Sequence, residues 1–420
     1  MQLYSQFDRQ MGAENKLMRN PEKIIVKDLY KIFNDADDEV MQLIEDGYTK
    51  DEILEKTGSI VGVCKANFSV KEGEIFVIMG LSGSGKSTLV RLLNRLIEPS
   101  CGEVHFDGLD ITNMPIKDLM DFRRKKVNMV FQSFALMPHM NVVDNAAFGL
   151  ELSGVGHNDR HSRAREALSQ VGLEAFAEHY PDELSGGMQQ RVGLARALAC
   201  DPSVMLMDEA FSALDPLIRA EMQDELLKLQ EKNRRTIIFI THDLDEAMRI
   251  GDRIAIMESG RVIQIGKPEE ILRNPTNEYV ASFFRGVDTS NILSAKHIAM
   301  KSQIETVQED QTLETVLNYL NQIPSPFCYV LNQNNNLVGI VSELSIKQAM
   351  TEDPKKAITK ALVADLTTLH EDTLLRDLIG IVSSSPYGVP VINRSDKYLG
   401  AITKTTLLNA LNQRLKKENG

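Results

Sequence analysis

The segment at residues 80–87, Gly-Leu-Ser-Gly-Ser-Gly-Lys-Ser, carries the strongest chemical signal in this sequence. It follows an apolar run at 74–79 that predicts a buried strand, and a helix is expected from about Gly85. Glycines let successive backbone N–H groups turn toward an anion, and a helix N-terminus adds partial positive charge. This strand–loop–helix order predicts a phosphate-binding loop for a nucleotide rather than an accidental Gly/Ser turn.

Three side chains of the loop are expected to act on the nucleotide directly. Lys86 would reach the β- and γ-phosphates, Ser87 would ligate Mg²⁺, and Thr88 would contact the α-phosphate. The residues expected to cradle the phosphates through their backbone are Gly80, Leu81, Ser82, Gly83, Ser84 and Gly85.

Asp208 and Glu209 form a second candidate group, because they end an almost wholly apolar run that begins at Val204. In a parallel α/β sheet, ligands bind at the carboxyl ends of the strands. Asp208 is therefore expected to hold Mg²⁺ through water, and Glu209 to orient and polarise the attacking water. The plain alternative is two acids that merely end a strand, which the phosphate loop on the same predicted sheet disfavours.

Ser185, Gly186 and Gly187 open the helix expected over 185–199 and form a third candidate group. The serine hydroxyl and the glycine N–H groups suit an anion at the helix N-terminus, although a simply capped helix has the same sequence. This terminus lies about 100 residues from the phosphate loop along the chain. One nucleotide can use both helix termini only if a second copy of the chain supplies one of them.

The composition is that of an ordinary globular protein, with 43% hydrophobic and 25% charged residues. The formal net charge of -12 falls entirely on the first 290 residues, and this acidic body argues against nucleic acid as a partner. The four cysteines are widely spaced without a Cys-x-x-Cys pair, which favours a reducing compartment. No signal-peptide core or long apolar run is present, so a membrane role would need a partner protein.

Six motifs in a fixed order resemble the ATP-binding subunits of ABC transporters over roughly residues 22–284. They are the Walker A motif at 80–87, the Q-loop at Gln132, the signature at 184–189, the Walker B motif at 204–209, the D-loop at 212–215 and the H-loop at 241–243. The resemblance implies an α/β P-loop NTPase core with a helical signature subdomain, and ATP and Mg²⁺ as its ligands.

The resemblance also implies a head-to-tail dimer of two copies that closes over two ATP molecules. Each nucleotide would be held by the Walker A motif of one copy and by the signature of the other. The residues expected to act in this way are Ser185, Gly186, Gly187 and Gln189 of the signature, with Asp215 in the D-loop.

Two further roles come from the same resemblance. His242 would contact the γ-phosphate, and Gln132 would report the nucleotide state to a membrane partner. The implied catalytic residues are Lys86, Glu209 and His242. The implied metal ligands are Ser87, Gln132 and Asp208.

An aromatic side chain near the first strand usually stacks on adenine in this family. Phe33 is the candidate here, and Tyr30 is its rival because the residues that follow, 34–58, interrupt the pattern. A Phe that simply belongs to the core is equally compatible with the sequence.

The segments at 34–58, 131–139, 207–219 and 283–288 resemble the glycine betaine/proline uptake importers in particular. The tail repeats itself at an offset of 61 residues and resembles the tandem CBS pair of those importers. The resemblance implies a permease and, indirectly, an extracytoplasmic solute-binding protein as partners at the cytoplasmic face of a bacterial inner membrane. An osmoprotectant such as glycine betaine, proline betaine or proline as the solute rests on resemblance alone.

The predicted organisation has four parts in chain order. They are an N-terminal segment at 1–21, an ABC ATPase domain at 22–284, a linker at 285–291 and a smaller α+β tandem CBS domain at 292–420. The ATPase domain contains a helical insertion at about 34–58 and the helical signature subdomain at about 135–200. The two repeats of the tail are expected at about 292–352 and 353–413.

The tail departs from the nucleotide-binding members of its family at one position in each repeat. Many of those repeats carry an Asp three residues after a Gly-apolar-apolar-Ser/Thr sequence, and it binds ribose hydroxyls. Here the position holds Ser345 in the first repeat and Thr406 in the second. We therefore expect ionic-strength sensing or dimerisation of the tail rather than binding of an adenosine nucleotide.

Three other functions stay open from the sequence. A soluble ABC-type ATPase acting on ribosomes or DNA is disfavoured by the single core, the lack of sustained heptads and the acidic body. A sensor that uses ATP only as a signal is disfavoured by Glu209 and His242. An importer of a different small solute is the third alternative.

Overall fold

The chain folds into two units that meet in the sequence after Phe284, residues 1–284 and 285–420. The structure is a computed structural model, and it describes residues 22–34, 37–285, 290, 293–299, 305–323, 325–351, 357–363 and 366–412. The predicted N-terminal segment, most of the predicted linker and the end of the second repeat lie outside the described residues.

A six-stranded sheet forms the centre of the first unit. In spatial order its strands are β10 (Arg261–Gly266), β9 (Arg253–Glu258), β3 (Ile75–Met79), β8 (Thr236–Thr241), β7 (Val204–Asp208) and β6 (Val127–Val130). The last five are parallel, and β10 returns antiparallel to β9. Every residue of β3, β7 and β8 is buried, which explains why these strands read as unbroken apolar runs.

The register of this sheet brings the candidate motifs to one edge. Met79 at the end of β3 pairs with Thr241 of β8, and Asp208 of β7 pairs with Ile240 of β8. Because the strands are parallel, the segments that follow β3, β7 and β8 leave the sheet side by side. These segments are the phosphate loop, the Glu209 turn and the H-loop.

A second, antiparallel sheet packs against the first one. Its strands, in spatial order, are β2 (Ile60–Lys71), β1 (Glu22–Phe33), β4 (Cys101–Phe106) and β5 (Leu109–Asp110). One hydrophobic cluster contains residues of both sheets and of the helix at Lys86–Leu93. Within it, the rings of Phe68 in the second sheet and Phe76 in the first sheet stack with 5.3 Å between their centroids. Because residues of the helix belong to the same cluster, the helix that begins at the phosphate loop is held between the two sheets.

The helices of the first unit follow the motifs in chain order. They are α1 (Asp37–Glu45), α2 (Lys50–Thr57), α3 (Lys86–Leu93), α4 (Ile116–Lys125), α5 (Val142–Leu152), α6 (His157–Gln170), α7 (Gly186–Ala199), α8 (Pro216–Lys232), α9 (Leu244–Ile250), α10 (Pro268–Arg273) and α11 (Glu278–Phe283). α5, α6 and α7 pack on one another and form the helical subdomain. α8 begins at Pro216 after the N-cap Asp215, an arrangement that an Asp-Pro sequence favours at a helix start.

The insertion between β1 and β2 is a pair of short helices with a hydrophobic core of its own. Val40 and Ile44 of α1 and Ile53 of α2 pack against Tyr30 of β1 and Val61 of β2. α2 is fixed at both ends, by a capping box between Thr49 and Glu52 and by Gly58 in the left-handed conformation. The insertion is therefore a packed part of the first unit.

The second unit contains two similar three-stranded sheets with their helices. The first repeat consists of β11 (Thr306–Gln308), α13 (Leu313–Leu320), β12 (Phe327–Leu331), β13 (Leu337–Ser342) and α14 (Glu343–Met350). The second consists of β14 (Leu369–His370), α15 (Leu375–Ser384), β15 (Val389–Ile392), β16 (Tyr398–Ile402) and α16 (Lys404–Asn412). In each sheet the first pair of strands is parallel and the second is antiparallel, as a duplicated sequence requires.

The two repeats are joined by backbone pairing between equivalent turns. Asn336 and Lys397 form an antiparallel bridge, and the Tyr398 N–H donates to the Asn335 carbonyl at 3.0 Å. The short helix α12 (Ala295–Ile298) precedes the first repeat in sequence, but Ala295 N–H donates to the carbonyl of Thr373 in the second repeat at 2.8 Å. The tail is thus one body in which each repeat supports the other.

Candidate nucleotide site

A cavity of about 390 Å³ opens over the phosphate loop. Its lining residues are Phe33, Lys50, Asp51, Leu54, Ile60, Val61, Gly62, Ser82, Gly83, Gly85, Lys86, Ser87, Thr88 and Glu209. The structure therefore places the aromatic candidate, most of the loop and one of the two acids on a single cavity. Gly80, Leu81 and Ser84 of the loop do not line it, and neither do Gln132 and Asp208.

Two glycines of the loop are required by close backbone contacts. A Cβ on Gly80 would lie 2.3 Å from the Met257 carbonyl oxygen. Gly85 has φ +99°, and a Cβ there would lie 2.4 Å from the carbonyl oxygen of Gly62. The loop can turn its N–H groups inward only because these positions carry no side chain.

The Lys86 ammonium is buried against the loop that it serves. Its Nζ donates to the carbonyls of Gly80 at 2.9 Å and Leu81 at 3.1 Å, and the residue is 5% exposed. Burial lowers the pKa of Lys86, while the carboxylates of Glu209 and Asp208 oppose this shift. A positive charge is thereby fixed where phosphate oxygens would lie.

Ser87 and Asp208 lie together, as metal ligands of this motif should. The Ser87 hydroxyl donates to Asp208 Oδ1 at 2.9 Å, and Arg91 Nη2 lies 3.6 Å from Asp208 Oδ2. Hydroxyl and carboxylate oxygens are hard donors of the kind that Mg²⁺ prefers. The donor set therefore fits Mg²⁺, with Gln132 as the third predicted ligand at the end of β6.

A chain of polar contacts links Gln132 to Glu209 and His242. Gln132 Nε2 donates to the Ser212 hydroxyl at 3.1 Å, and this hydroxyl donates to the Glu209 carbonyl at 2.9 Å. His242 Nδ1 lies 3.4 Å from Glu209 Oε1. The Q-loop, Walker B, D-loop and H-loop residues are thus adjacent within one copy of the chain.

Glu209 has an unusual backbone conformation for a residue with a side chain. Its φ is 47°, and its N–H donates to the Ile240 carbonyl at 3.1 Å. Positive φ in a non-glycine residue is disfavoured by about 1–3 kcal/mol and occurs preferentially at functional sites. The sheet therefore holds Glu209 in a strained conformation that directs its side chain into the cavity.

The signature residues lie at the N-terminus of α7 and form no part of this cavity. The exposed Ser185 caps the helix, with its hydroxyl accepting from the Met188 N–H at 3.4 Å. Gln189 Nε2 donates to the Pro181 carbonyl at 2.7 Å and fastens the preceding turn. A Cβ on Gly187 would lie 2.6 Å from Ile218 Cγ2, so this glycine permits close packing of α7 on α8.

Asp215 of the D-loop has a local structural role at the start of α8. Its carboxylate accepts from the N–H groups of Leu217 and Ile218, both at 3.1 Å, and so caps α8. Arg219 Nη2 donates to the carbonyls of Ser212 and Leu214, both at 3.2 Å, and fixes the turn before that cap. The D-loop is thus rigidly attached to the start of α8.

The structure distinguishes the two aromatic candidates of the first strand by their positions. Phe33 lines the cavity, and its Cε2 would lie 2.8 Å from a Cβ on Gly62. Tyr30 is 8% exposed and belongs to the core of the insertion. Phe33 alone of the two has access to a ligand above the loop.

Several residues at the site were missed by sequence reasoning. Tyr279 of α11 donates its hydroxyl to the Met257 carbonyl at 3.0 Å and accepts from the Leu81 N–H at 3.5 Å, which braces the phosphate loop. Lys50, Asp51 and Leu54 of the insertion line the cavity. No local pattern marks Tyr279, because it lies 198 residues from Leu81 in the sequence.

The fold and site together define an ATP-binding cassette followed by two CBS repeats. The ABC transporter family model matches residues 63–212, and the CBS domain model matches 295–352 and 356–413. A solved dimeric ATP-binding cassette, in a post-hydrolysis state with ADP and phosphate, matches with a TM-score of 0.50 and 32% identity. The match covers 58% of this chain and 98% of that one.

Similarity to curated proteins extends over nearly the whole chain. The glycine betaine/proline betaine transport system ATP-binding protein ProV of Salmonella typhimurium is 54% identical over 93% of this chain and 98% of its own length. The glycine betaine transport ATP-binding protein OpuAA of Bacillus subtilis is 49% identical over 93% of each chain. The chain belongs to this family of ABC transport ATP-binding subunits, and it is therefore an ATPase.

These comparisons confirm the expected fold class and ATPase activity. The family binds ATP, generally with Mg²⁺. Across the described residues, no helix is both long and apolar enough to cross a membrane.

Proposed function

We propose that this chain drives uptake of an osmoprotectant, glycine betaine or proline betaine/proline, by hydrolysing Mg-ATP in a head-to-tail dimer. The observation that carries the solute class is the 54% identity with a glycine betaine/proline betaine transport subunit over 93% of the chain. The solute does not enter this subunit, so the site described above serves only the energy source.

The dimer is supported by the separation of the two phosphate-binding helix termini. Lys86 lies on the cavity, whereas the exposed Ser185 and its neighbours at the start of α7 lie outside it. A second copy placed head to tail would bring its Ser185, Gly186, Gly187 and Gln189 over the nucleotide bound to the first. A dimeric arrangement is also found in the solved cassette that this chain resembles.

Within that dimer, each polar group has a specific task. Bound Mg²⁺ would neutralise phosphate charge, held by Ser87, Asp208 and Gln132. Lys86 and the N–H groups of the loop would hold the β- and γ-phosphates. Glu209 would orient and polarise the attacking water, and His242, which lies 3.4 Å from it, would contact the γ-phosphate.

The permease is proposed to contact the first unit beside the Q-loop. A groove of about 300 Å³ lies there, between β6, α5 and the last turn of α7. Its apolar lining includes Met129, Phe131, Met137 and Phe148, and Gln132 directly follows Phe131. An apolar segment of an integral membrane partner would fit this groove, and its movement would reach Glu209 through Gln132 and Ser212.

We place the parts of the chain as the motifs indicate. In chain order, the parts are an N-terminal segment (residues 1–21), the ATPase domain (22–284), the linker (285–291) and the regulatory tail (292–420). With its permease, the subunit would lie at the cytoplasmic face of the inner membrane, and an extracytoplasmic solute-binding protein would act through that permease.

Substitution of Glu209 tests this function directly. The E209Q chain should still bind ATP, because the amide keeps the size of the side chain and the phosphate loop is unchanged. Its ATP turnover should fall by about 10²–10⁴-fold, the usual contribution of a catalytic base. Phosphate release and nucleotide binding are measured on the same preparation, alone and with the co-purified permease. Full turnover by E209Q would contradict the catalytic role of Glu209. ATP turnover that does not depend on solute, in the complex of the unsubstituted chain with its permease, would contradict the transport function.

A further inference from the structure

One wall of the nucleotide cavity comes from the insertion, which none of the nucleotide motifs includes. Lys50, Asp51 and Leu54 of α2 line the cavity together with Phe33 and the phosphate loop. Ile53 of the same helix is 1% exposed and is anchored in the core of the insertion. Because α2 is capped at both ends, the backbone that carries Lys50, Asp51 and Leu54 is held in place.

Lys50 reaches from this helix to the backbone that supports the phosphate loop. Its Nζ lies 2.8 Å from the position that a Cβ on Gly260 would occupy. Gly260 in turn donates its N–H to the Ser84 carbonyl at 2.8 Å, and its Cα lies 3.4 Å from the position of a Cβ on Gly85. The ammonium therefore lies beside the backbone that holds the phosphate loop.

The charge of Lys50 is not matched by a neighbouring carboxylate. Among the described residues, no acid lies within 4.0 Å of its Nζ, whereas Lys23, Lys296 and Lys347 each have such a partner. Arg261 adds a second positive charge nearby. Burial lowers the pKa of Lys50, and Arg261 lowers it further, while Cys64 and Asp51 oppose the shift. A half-buried ammonium in this setting is stabilised by an anionic ligand.

We propose that Lys50 is a second ammonium of the nucleotide site, presented by the inserted helix to the phosphate chain of the bound nucleotide. This inference rests on the proposed function, since it assumes that ATP occupies the cavity. Leu54 and Ile60, which are 45% and 54% exposed, extend the apolar wall beside Phe33 and leave that part of the cavity to the base. The insertion thus supplies a charge for the phosphates and an apolar surface for the base.

The test uses the full-length chain with E209Q, so that binding is measured without turnover. In this background K50M should weaken ATP binding about tenfold, as expected for one charge-assisted hydrogen bond. K50R, which keeps the charge, should recover most of the affinity. Adenosine, which has no phosphate, should bind K50M and its parent equally well.

A matched control lies on the same helix. Lys56 is exposed, packs over the Tyr48 ring at 3.8 Å and does not line the cavity. K56M removes the same charge and perturbs the insertion, and it should leave ATP affinity unchanged.

Three results would overturn the inference alone. They are unchanged ATP affinity in K50M, an equal loss of adenosine affinity, or an equal loss of ATP affinity in K56M. A parent E209Q chain that binds no ATP at all would instead overturn the proposed function, and this inference with it. Thermal unfolding of every variant identifies any loss that comes from misfolding.

Discussion

At the scale of single residues, the site depends on groups that are held in place before any nucleotide binds. Asp208 is 6% exposed and accepts from Ser87, and Glu209 keeps its strained backbone because its N–H bonds to the neighbouring strand β8. Such preorganisation places charge where phosphate transfer needs it and avoids rearrangement during the reaction. The hydrogen bond from the Glu209 N–H to the Ile240 carbonyl of β8 offsets the cost of this backbone conformation.

Phe33 gives the first prediction at this scale. F33A should weaken ATP binding by about 1–3 kcal/mol, because a base stacked on an aromatic ring contributes about that much. Binding of inorganic triphosphate, which has no base, should not change. Both affinities can be measured by calorimetry on the E209Q chain.

The rival aromatic residue serves as the control for that prediction. Y30F removes only a hydroxyl from the core of the insertion and should leave both affinities as they are. If Y30F and F33A reduced ATP affinity alike, the base would not be stacked on Phe33.

At the residue scale, the sequence alone was enough to recognise a motif whose residues are contiguous. The loop at 80–87 and the acids at 208 and 209 required only a strand, a turn and a glycine pattern. Lys50 and Tyr279 were missed, because their relation to the loop arises from how distant segments pack. The choice between Tyr30 and Phe33 stayed open because the inserted segment at 34–58 interrupts the pattern, and only the packing of that segment shows that Tyr30 belongs to its core.

At the scale of elements, α9 carries a buried acid next to the H-loop. Glu246 is 5% exposed and accepts from Gln223 Nε2 of α8 at 3.1 Å. Burial raises the pKa of Glu246 above its ordinary value of 4.5, against the effect of hydrogen bonds from Thr241 and Gln223. Folding therefore disfavours ionisation of this side chain.

This raised pKa predicts a specific dependence of stability on pH. Below pH 4.5 the acid is protonated in both the folded and the unfolded chain, and it has no cost. As the pH rises through that value, the unfolded chain ionises first, so the folding contribution of Glu246 decreases. E246Q should therefore be more stable than the parent at neutral pH, and this difference should shrink toward pH 4.5.

Denaturant unfolding of both chains at a series of pH values measures that difference. E231Q, a substitution of an exposed acid on α8, is the matched control and should show no such trend. A difference between E246Q and its parent that stays constant with pH would refute the assignment.

The ends of several elements follow from local chemistry and were accessible from the sequence. Asp215 and Pro216 start α8, and Ser185 caps α7. The start of α6 at His157 is harder to recognise, because its first turn is polar and lacks a side-chain cap, and its buried residues begin only at Ala164. Apolar periodicity identifies only the buried part of such a helix.

At the scale of the whole molecule, the tail is a pair of CBS repeats in which Ser345 and Thr406 stand where many nucleotide-binding repeats carry an Asp. Ser345 and Ser342 exchange hydrogen bonds between side chain and backbone at the start of α14, and Thr406 does the same with Thr403 at the start of α16. The hydroxyls that replace the usual Asp are therefore used as helix caps. This use supports a tail that does not hold a ribose.

Removal of the tail gives the prediction at this scale. A chain that ends at about residue 290 should keep its ATPase activity, because the cavity and its polar network belong to the first unit. In the reconstituted transporter, the same truncation should change how transport depends on salt concentration. An unaltered salt response would show that the tail is not an ionic-strength sensor.

Local sequence patterns do not define the contact surface of the dimer, because that surface is completed by a second chain. Sequence reasoning proposed two copies from two phosphate-binding termini on one chain. The structure keeps Ser185 outside the cavity of Lys86. In the proposed dimer, one copy supplies Lys86 and the other supplies Ser185 to each nucleotide.

Mixing two inactive variants tests that claim most directly. K86A and S185R chains are each expected to lack ATP turnover, because every site in either dimer has a defect. In a head-to-tail dimer of one chain of each kind, both defects fall in one site and the other site is intact. We predict that the mixture recovers ATP turnover after subunit exchange. No recovery, in a mixture shown to contain mixed dimers, would contradict the shared site.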